Sequence, residues 1–513
     1  MNKYVYTCFS PDQILKSLNS ENVYTYKSDF ESLFISTLNN IKYFYDDGSY
    51  AIIVEIPIEN PALYVHHHND NIIIEINMFR VVKVYSLYEL STYEELGLNI
   101  KDNKYIMEHA CDERNFKFLQ MSIDLNLNLE YSENILDHAS ANNKLDVLQW
   151  WIKSGLSLKY SEKAIDDASI NGHKEILNFW LNSDLPLKYT FSSLDSHFNF
   201  DNRLSILKWW INSGLGLKYT YKFIDNLCYH GEIDILNYWI KSGSEMKYSS
   251  DTIDSASENG HINILNWWID SGFELKYTSE AIDSASRNFK IDILNWWLKS
   301  GLELKYTENS LKYTHNIRYN NIIILLQWWK KSGLEIKYSK NFLNELGHNI
   351  NILNEVLNLG VPFKYSKACI DNIITKNINS QKIINIIKWW MDNNLKLKYS
   401  HKFIDGMFNK EYVPVLDWLD SINFEFKYSN DAIDSTKNIK VLKWWFNHNY
   451  TLKYTNTSID NAFRRGDTDM LNVWYKSGKE LLFSKPIRYK YSNQIKKSID
   501  WWLSSGLPRE AIC

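Results

Sequence analysis

The sequence predicts a mostly α-helical fold: an α-solenoid of about fourteen short helix–turn–helix repeats, preceded by a small α+β domain. Three observations carry that expectation. A tryptophan pair recurs about every 29 residues through four fifths of the chain, as Trp150-Trp151, Trp209-Trp210, Trp267-Trp268, Trp296-Trp297, Trp328-Trp329, Trp389-Trp390, Trp444-Trp445 and Trp501-Trp502. Tyr131, Tyr160, Tyr189, Tyr219, Tyr248, Tyr277, Tyr306, Tyr338, Tyr365, Tyr399, Tyr428, Tyr454 and then Phe483 keep the same beat, at steps of 26 to 34 residues. All 20 tryptophans lie between residues 150 and 502, so residues 1–100 read as a separate domain and residues 101–513 as the array.

Residues 1–100 lack the repeat pattern. Helical spacing points to Pro11–Leu18 and Asp29–Leu38, and strand-like runs to Ile41–Tyr45, Tyr50–Ile58, Leu63–His67, Ile72–Ile76 and Arg80–Tyr85. The Asp46-Asp47-Gly48-Ser49 cluster between two of those runs reads as a hairpin. No known accompanying module is evident in this segment.

The stretch from Lys247 to Leu275 shows the grammar of one repeat. Tyr248-Ser249 precedes a helix over Ser250–Glu258, and the Ser or Thr after each tyrosine stands where an N-cap accepts from first-turn amides. Asn259-Gly260 stops that helix, because Gly adopts the left-handed C-cap conformation. A second helix starts at His261 and puts Ile264, Leu265, Trp267 and Trp268 on one wide apolar face. Gly272 ends it, and Phe273–Tyr277 runs extended into the next repeat. Nine of the 18 glycines hold the Gly272 position (Gly155, Gly214, Gly243, Gly272, Gly301, Gly333, Gly360, Gly478 and Gly506).

These residues resemble the ankyrin repeat. Asn259-Gly260-His261 through Trp267-Trp268 matches that family's Asn-Gly-His-x-x-Val-Val-x-Leu-Leu, and Gly272-Phe273-Glu274-Leu275 matches its Gly-Ala-Asp-Val. Ala281-Ile282-Asp283-Ser284-Ala285-Ser286 sits at the family's Thr-Pro-Leu-His-x-Ala-Ala opening. This chain departs in its enlarged Trp-Trp pair and in a connector short by about four residues, where the family carries a hairpin. Tetratricopeptide-like pairs are the rival assignment; they run nearer 34 residues and lack the Asn-Gly-His turn. Tryptophan-rich repeats punctuated by Lys-Tyr-Ser are similar to those of ankyrin proteins encoded by amoeba-infecting giant DNA viruses of the mimivirus kind. The resemblance implies a non-enzymatic scaffold that binds a partner protein along a concave face, in a viral protein engaging host factors.

The ends are atypical, as exposed caps of an array must be. Residues 101–131 form a degenerate first repeat, with Met107–Cys111 and Met121-Ser122 in place of the usual residues. Residues 484–513 form the last, entered through a basic stretch of Lys485, Arg488, Lys490, Lys496 and Lys497. Long steps before Tyr338 and Tyr399 mark insertions near Asn316–Asn321 and Lys376–Gln381, which either form a binding site or sit in a tolerant turn.

A net charge of −4 supplies no global attraction to nucleic acid or anionic membrane. Five scattered cysteines without a CxxC fit reduced thiols, and apolar runs such as Ile322–Leu326 are too short to span a bilayer. With no apolar signal core after Met1, an intracellular protein is expected, in the cytoplasm or nucleus of a host cell or in a virion. His66-His67-His68 alternates faces on a strand and reads as a solvated edge rather than a metal site. Asp166, Asp225, Asp254, Asp283, Asp371, Asp405, Asp434 and Asp460 recur once per repeat in a first helical turn, where the helix dipole favours a carboxylate. No catalytic, cofactor or metal site is therefore expected. The second functional reading is binding of nucleic acid or an acidic partner through Lys159, Lys188, Lys218, Lys247, Lys276, Lys305, Lys337, Lys364, Lys398, Lys427 and Lys453, each preceding a tyrosine. Against it, the ladder samples phosphates sparsely and Glu274, Glu303, Glu335 and Glu425 lie nearby. A third makes the chain a substrate adaptor with a divergent N-terminal module. The tryptophans are expected in the core, and the reading of a partner falls to residues that vary between repeats: Glu162-Lys163, Phe191-Ser192, Tyr221-Lys222, Glu308-Asn309 and His401-Lys402.

Overall fold

Strands near the N-terminus expose alternate side chains to a shared apolar face. They are β1 (Tyr4–Cys8), β2 (Val23–Thr25), β3 (Leu33–Thr37), β4 (Tyr50–Glu55), β5 (Val65–His68), β6 (Ile73–Ile76) and β7 (Met78–Ser86). In the computed structural model the described residues are 4–18, 23–25, 33–68, 73–196, 202–312, 318–376, 378–410, 412–484 and 493–508. The strands make one antiparallel sheet in the order β2-β7-β4-β1-β3-β6-β5. Ile35, Ile52, Val54, Ile74 and Phe79 gather in one core with Ile14 of the Pro11–Lys16 helix.

Three sequence expectations fail here. The helix expected over Asp29–Leu38 is strand β3 from Leu33 to Thr37; residues 29–32 lie outside the described residues. Leu33 and Ile35 are buried with period two, and β3 finds a partner on each side in β1 and β6, so distant pairing overrides local helical spacing. The strand expected over Ile41–Tyr45 is replaced by 3₁₀ turns, Leu38–Tyr43 and Tyr45–Asp47, which bury Ile41 and Tyr45. Asp46–Ser49 is therefore no hairpin. Gly48 instead packs on the end of β1, where a Cβ would stand 2.0 Å from the Cys8 carbonyl carbon.

The chain divides into two units, Met1–Leu227 with Glu232–Ser249, and Cys228–Gly231 with Ser250–Cys513. Both contain the same helix pairs, and the fold is mostly helical beyond the N-terminal sheet. In the repeat read above, the helices are Asp251–Asn259 and Ile262–Ser271, within one residue of expectation. Gly272 holds φ +73°, and in four of the five repeats with no glycine there, Asn126, Asp184, Asn394 and Asn423 take φ of 51° to 56°, Asn449 being the exception. The first repeat keeps both helices, Ile106–Asp112 and Phe116–Asp124. In the last, the helix Asn493–Ser504 is described, whereas Lys485, Arg488 and Lys490 lie outside the described residues.

The recurring aspartates are structural, by a stronger device than the helix dipole. Each is buried, apart from the half-buried Asp371, and accepts both the backbone N–H and the hydroxyl of the Ser or Thr that opens the next repeat. Asp254 takes Thr278 at 2.9 and 2.5 Å, and Asp283 takes Thr307 at 2.9 and 2.6 Å. Asp166, Asp225, Asp371, Asp405, Asp434 and Asp460 do the same, as do Asp137 and Asp195, which sequence reasoning missed. The hydroxyl oxygen meanwhile accepts the N–H two residues on, as from Glu280 onto Thr278 at 3.1 Å, so the expected cap is made as well. Burial raises the pKa of Asp166, Asp254 and Asp283 despite these hydrogen bonds.

The two tryptophans of a pair differ. The second is core: Trp151, Trp210, Trp268, Trp297, Trp329, Trp390, Trp445 and Trp502 are fully buried. Its indole N–H reaches the last Ser or Cys of the preceding repeat's first helix, as Trp210 to Ser169 (2.8 Å), Trp297 to Ser257 (3.2 Å) and Trp268 to the Cys228 sulfur (3.3 Å). Trp390 and Trp445 make no such bond because Gly347 and Phe408 occupy the serine position, and Trp502, with Phe463 there, donates instead to the Pro508 carbonyl at 3.0 Å. The first tryptophan departs from the all-core expectation. It is mostly half-buried and donates to the residue before the equivalent pair of positions one repeat earlier, as Trp296 to Asn266, Trp328 to Asn295 and Trp389 to Asn354 at 2.7 to 2.8 Å.

Candidate partner-binding cavity

Extended connectors alternate half-buried and exposed side chains and are tied together by the Lys-Tyr column. Lys305 Nζ lies 4.5 Å from the centre of the preceding repeat's Tyr277 ring, and Lys218 Nζ 4.3 Å from that of Tyr189. The same geometry holds for Lys159, Lys188, Lys247, Lys337, Lys398, Lys427 and Lys453. Several also donate to that tyrosine's carbonyl, Lys188 at 2.8 Å among them, and Lys427 pairs with Glu425 at 3.0 Å. The tyrosine hydroxyls donate to connector carbonyls one repeat on, Tyr277 to Glu303 at 3.0 Å and Tyr399 to Glu425 at 2.7 Å. Burial raises these phenol pKa values, to about 12 for Tyr399, and keeps them protonated donors. The cations read from sequence as a ladder are thus spread over neighbouring rings and carbonyls.

The histidines that open second helices are likewise committed. His173 and His261 place Nε2 3.0 Å from the carbonyls of Ala141 and Tyr229. His66 and His68 share one face of the edge strand β5, with ring centres 4.4 Å apart, and His68 Nε2 lies 2.7 Å from Glu75 Oε2. Among the described residues, no three His, Cys, Asp or Glu side chains converge as metal ligands. No described helix is long and apolar enough to cross a membrane. Of the variable positions, Glu162, Lys163, Phe191, Tyr221, Lys222, Glu308, Asn309, His401 and Lys402 are exposed, while Ser192 is half-buried.

The two long steps in the repeat meet at one place. The second helix Tyr319–Ser332 has 14 residues and Ser380–Asp392 has 13, whereas Ile350–Asn358 between them in sequence keeps the ordinary 9. Two helices lengthened at their start, with a short one between, leave a notch. It is a cavity of about 540 Å³ lined by Tyr319, His348, Asn349, Ile350, Asn351, Lys376, Ile378, Lys382, Asn385 and Ile386. Parts of both insertions, residues 313–317 and 377, lie outside the described residues.

The lining is ordered by its own hydrogen bonds. His348 Nε2 lies 2.8 Å from the Tyr319 hydroxyl, and burial, reinforced by the Lys376 charge, lowers the His348 pKa. A neutral imidazole then accepts the phenol proton and holds that ring at the rim, where Tyr319 is 40% exposed. Asn349 Oδ1 accepts from the amides of Asn351 and Ile352, and Asn385 Oδ1 accepts from Gln381. Lys376 lies 3.5 Å from Glu345, while Lys382 is exposed. Sequence reasoning flagged the insertions but could not bring together residues 67 positions apart.

No family model matches the chain. An uncharacterized protein of Acanthamoeba polyphaga mimivirus is 36% identical over 93 residues, which are 18% of this chain and 29% of that protein. Among solved structures, the pentatricopeptide repeat protein PPR10 from maize is 12% identical at a TM-score of 0.28, covering 82% of this chain and 64% of that one. The human ASB11 ankyrin repeat domain is 14% identical at a TM-score of 0.25, covering 44% of this chain and 98% of that one.

Proposed function

We propose that this chain is a non-enzymatic scaffold that binds a partner protein, with the cavity bounded by Tyr319 and Ile386 as its anchor point. One observation carries the reading. The residues that recur in every repeat are occupied in holding repeats together, while a cavity with an aromatic rim opens where repeat length departs from the rule. Cavities of this size accept a few side chains of a partner. Exposed residues that do not recur, such as Tyr221 and His401, supply further contacts elsewhere on the array. The likeness to a mimivirus protein over 93 residues, with the ankyrin-like grammar, supports a viral protein that engages a host protein.

The test is capture by the full chain from amoebal lysate, compared with a Tyr319→Ala, Ile378→Ala variant of unchanged circular dichroism. At least one protein should be enriched by the natural chain and lost by the variant. No enrichment from a concentrated lysate, or equal enrichment by both chains, defeats the reading.

A further inference from the structure

We infer that the cavity takes a carboxylate carried next to an apolar side chain, in an acidic segment of the partner. The inference rests on the partner-binding reading above and concerns the same cavity.

Its chemistry is asymmetric. Among the described residues the lining contains no carboxylate and has two ammonium groups, on Lys376 and Lys382. Asn349 and Asn385 already have their Oδ1 atoms occupied by N–H donors, which leaves their Nδ2 hydrogens as donors. The Tyr319 hydroxyl lies against His348. The polar part of the surface is therefore mostly donor, and it suits an acceptor-only group such as an ionised carboxylate. Ile350, Ile378, Ile386 and the Tyr319 ring form the other part, which suits an aliphatic neighbour of that carboxylate. Glu345, outside the lining, pairs with Lys376 at 3.5 Å, so Lys382 is the ammonium left to a ligand. A nucleic acid is the poorer fit: two lysines answer few phosphates, and the isoleucines offer a base no flat partner.

Fluorescence anisotropy on the full chain tests the assignment with three probes. These are a labelled peptide alternating leucine and glutamate, the same peptide with glutamines, and a single-stranded oligonucleotide of equal length. The glutamate peptide should bind about tenfold tighter than the glutamine peptide, with the preference shrinking as salt rises. Lys382→Glu should abolish the preference, and the milder Lys382→Gln and Asn385→Leu should each reduce it, at exposed positions that leave the thermal melt in place. Equal affinity for the two peptides, no binding of the glutamate peptide, tighter binding of the oligonucleotide, or a preference untouched by all three variants would overturn the assignment. Those outcomes leave the capture result standing, because it is read with Tyr319→Ala, Ile378→Ala, which changes no charge.

Discussion

Replacing Asp283 measures what the buried carboxylate does between repeats. Its side chain is 0% exposed and accepts the Thr307 N–H at 2.9 Å and the Thr307 hydroxyl at 2.6 Å. Asp283→Ala removes two charge-assisted bonds and leaves the Thr307 donors without their acceptor, so it should destabilise by about 3 kcal/mol. Asp283→Asn keeps an acceptor in place. The chain already contains that arrangement, since Asn344 Oδ1 receives the Ser366 N–H at 2.9 Å and hydroxyl at 3.2 Å. The Asn variant should therefore cost about 1 kcal/mol or less, because it also escapes the desolvation that raises the Asp283 pKa. The sign of the pH effect follows. With the folded pKa raised, the folded state binds the proton more tightly than the unfolded state does. The contribution of Asp166, Asp254 and Asp283 to stability thus grows as pH falls through their folded values and is lost as pH rises again. Hydrogen exchange of the Thr307 amide is the assay, since a repeat array need not unfold in one step. Equal loss of protection in the Ala and Asn variants, or a loss below about 0.5 kcal/mol for Ala, would refute the clamp and return these aspartates to the dipole.

Three further outcomes are expected. Trp297→Ala should cost about 3–5 kcal/mol and Trp296→Ala clearly less, because Trp297 is 1% exposed while Trp296 is half-buried; urea titrations would show it. Lys305→Leu should lower stability by about 0.5–1 kcal/mol through loss of the Tyr277 ring contact, and it should leave any nucleic-acid retention in filter binding unaltered. Gly347→Ser should destabilise, because a Cβ there would lie 2.3 Å from Cys369 Sγ. Adding Cys369→Ala opens that space, and the new hydroxyl can accept from Trp390. Thermal melts should therefore show the double variant above Gly347→Ser alone, by about 1–3 kcal/mol of coupling.

The array was legible because its signals are local. Spacings of three and four residues, glycine at a left-handed cap and a hydroxyl at a helix start act within one repeat, and the helix pair Asp251–Asn259 and Ile262–Ser271 lies where they put it. Residues 33–45 were misread for the opposite reason. Leu33–Thr37 is a strand because β1 and β6 flank it, and β6 begins 36 residues after Thr37. The same limit hid the purpose of residues whose recurrence was plain. Asp254 is visible in sequence as one carboxylate per repeat, but its partner Thr278 lies 24 residues on, and lysines of the ladder such as Lys305 lie against a tyrosine one repeat back that no local signal pairs with them.

Periodicity and backbone preference along a continuous segment suffice for the repeat, its two helices, the turn glycines and the burial of the second tryptophan. Packing between repeats sets which repeated side chains join them and which stay available to a partner. It separated the two tryptophans, one sealed in the core and one hydrogen-bonded at a half-buried seam. It also gathered two insertions about 60 residues apart into one cavity. Such contacts depend on stacking between repeats, and stacking brings together residues whose separation along the chain carries no local signal.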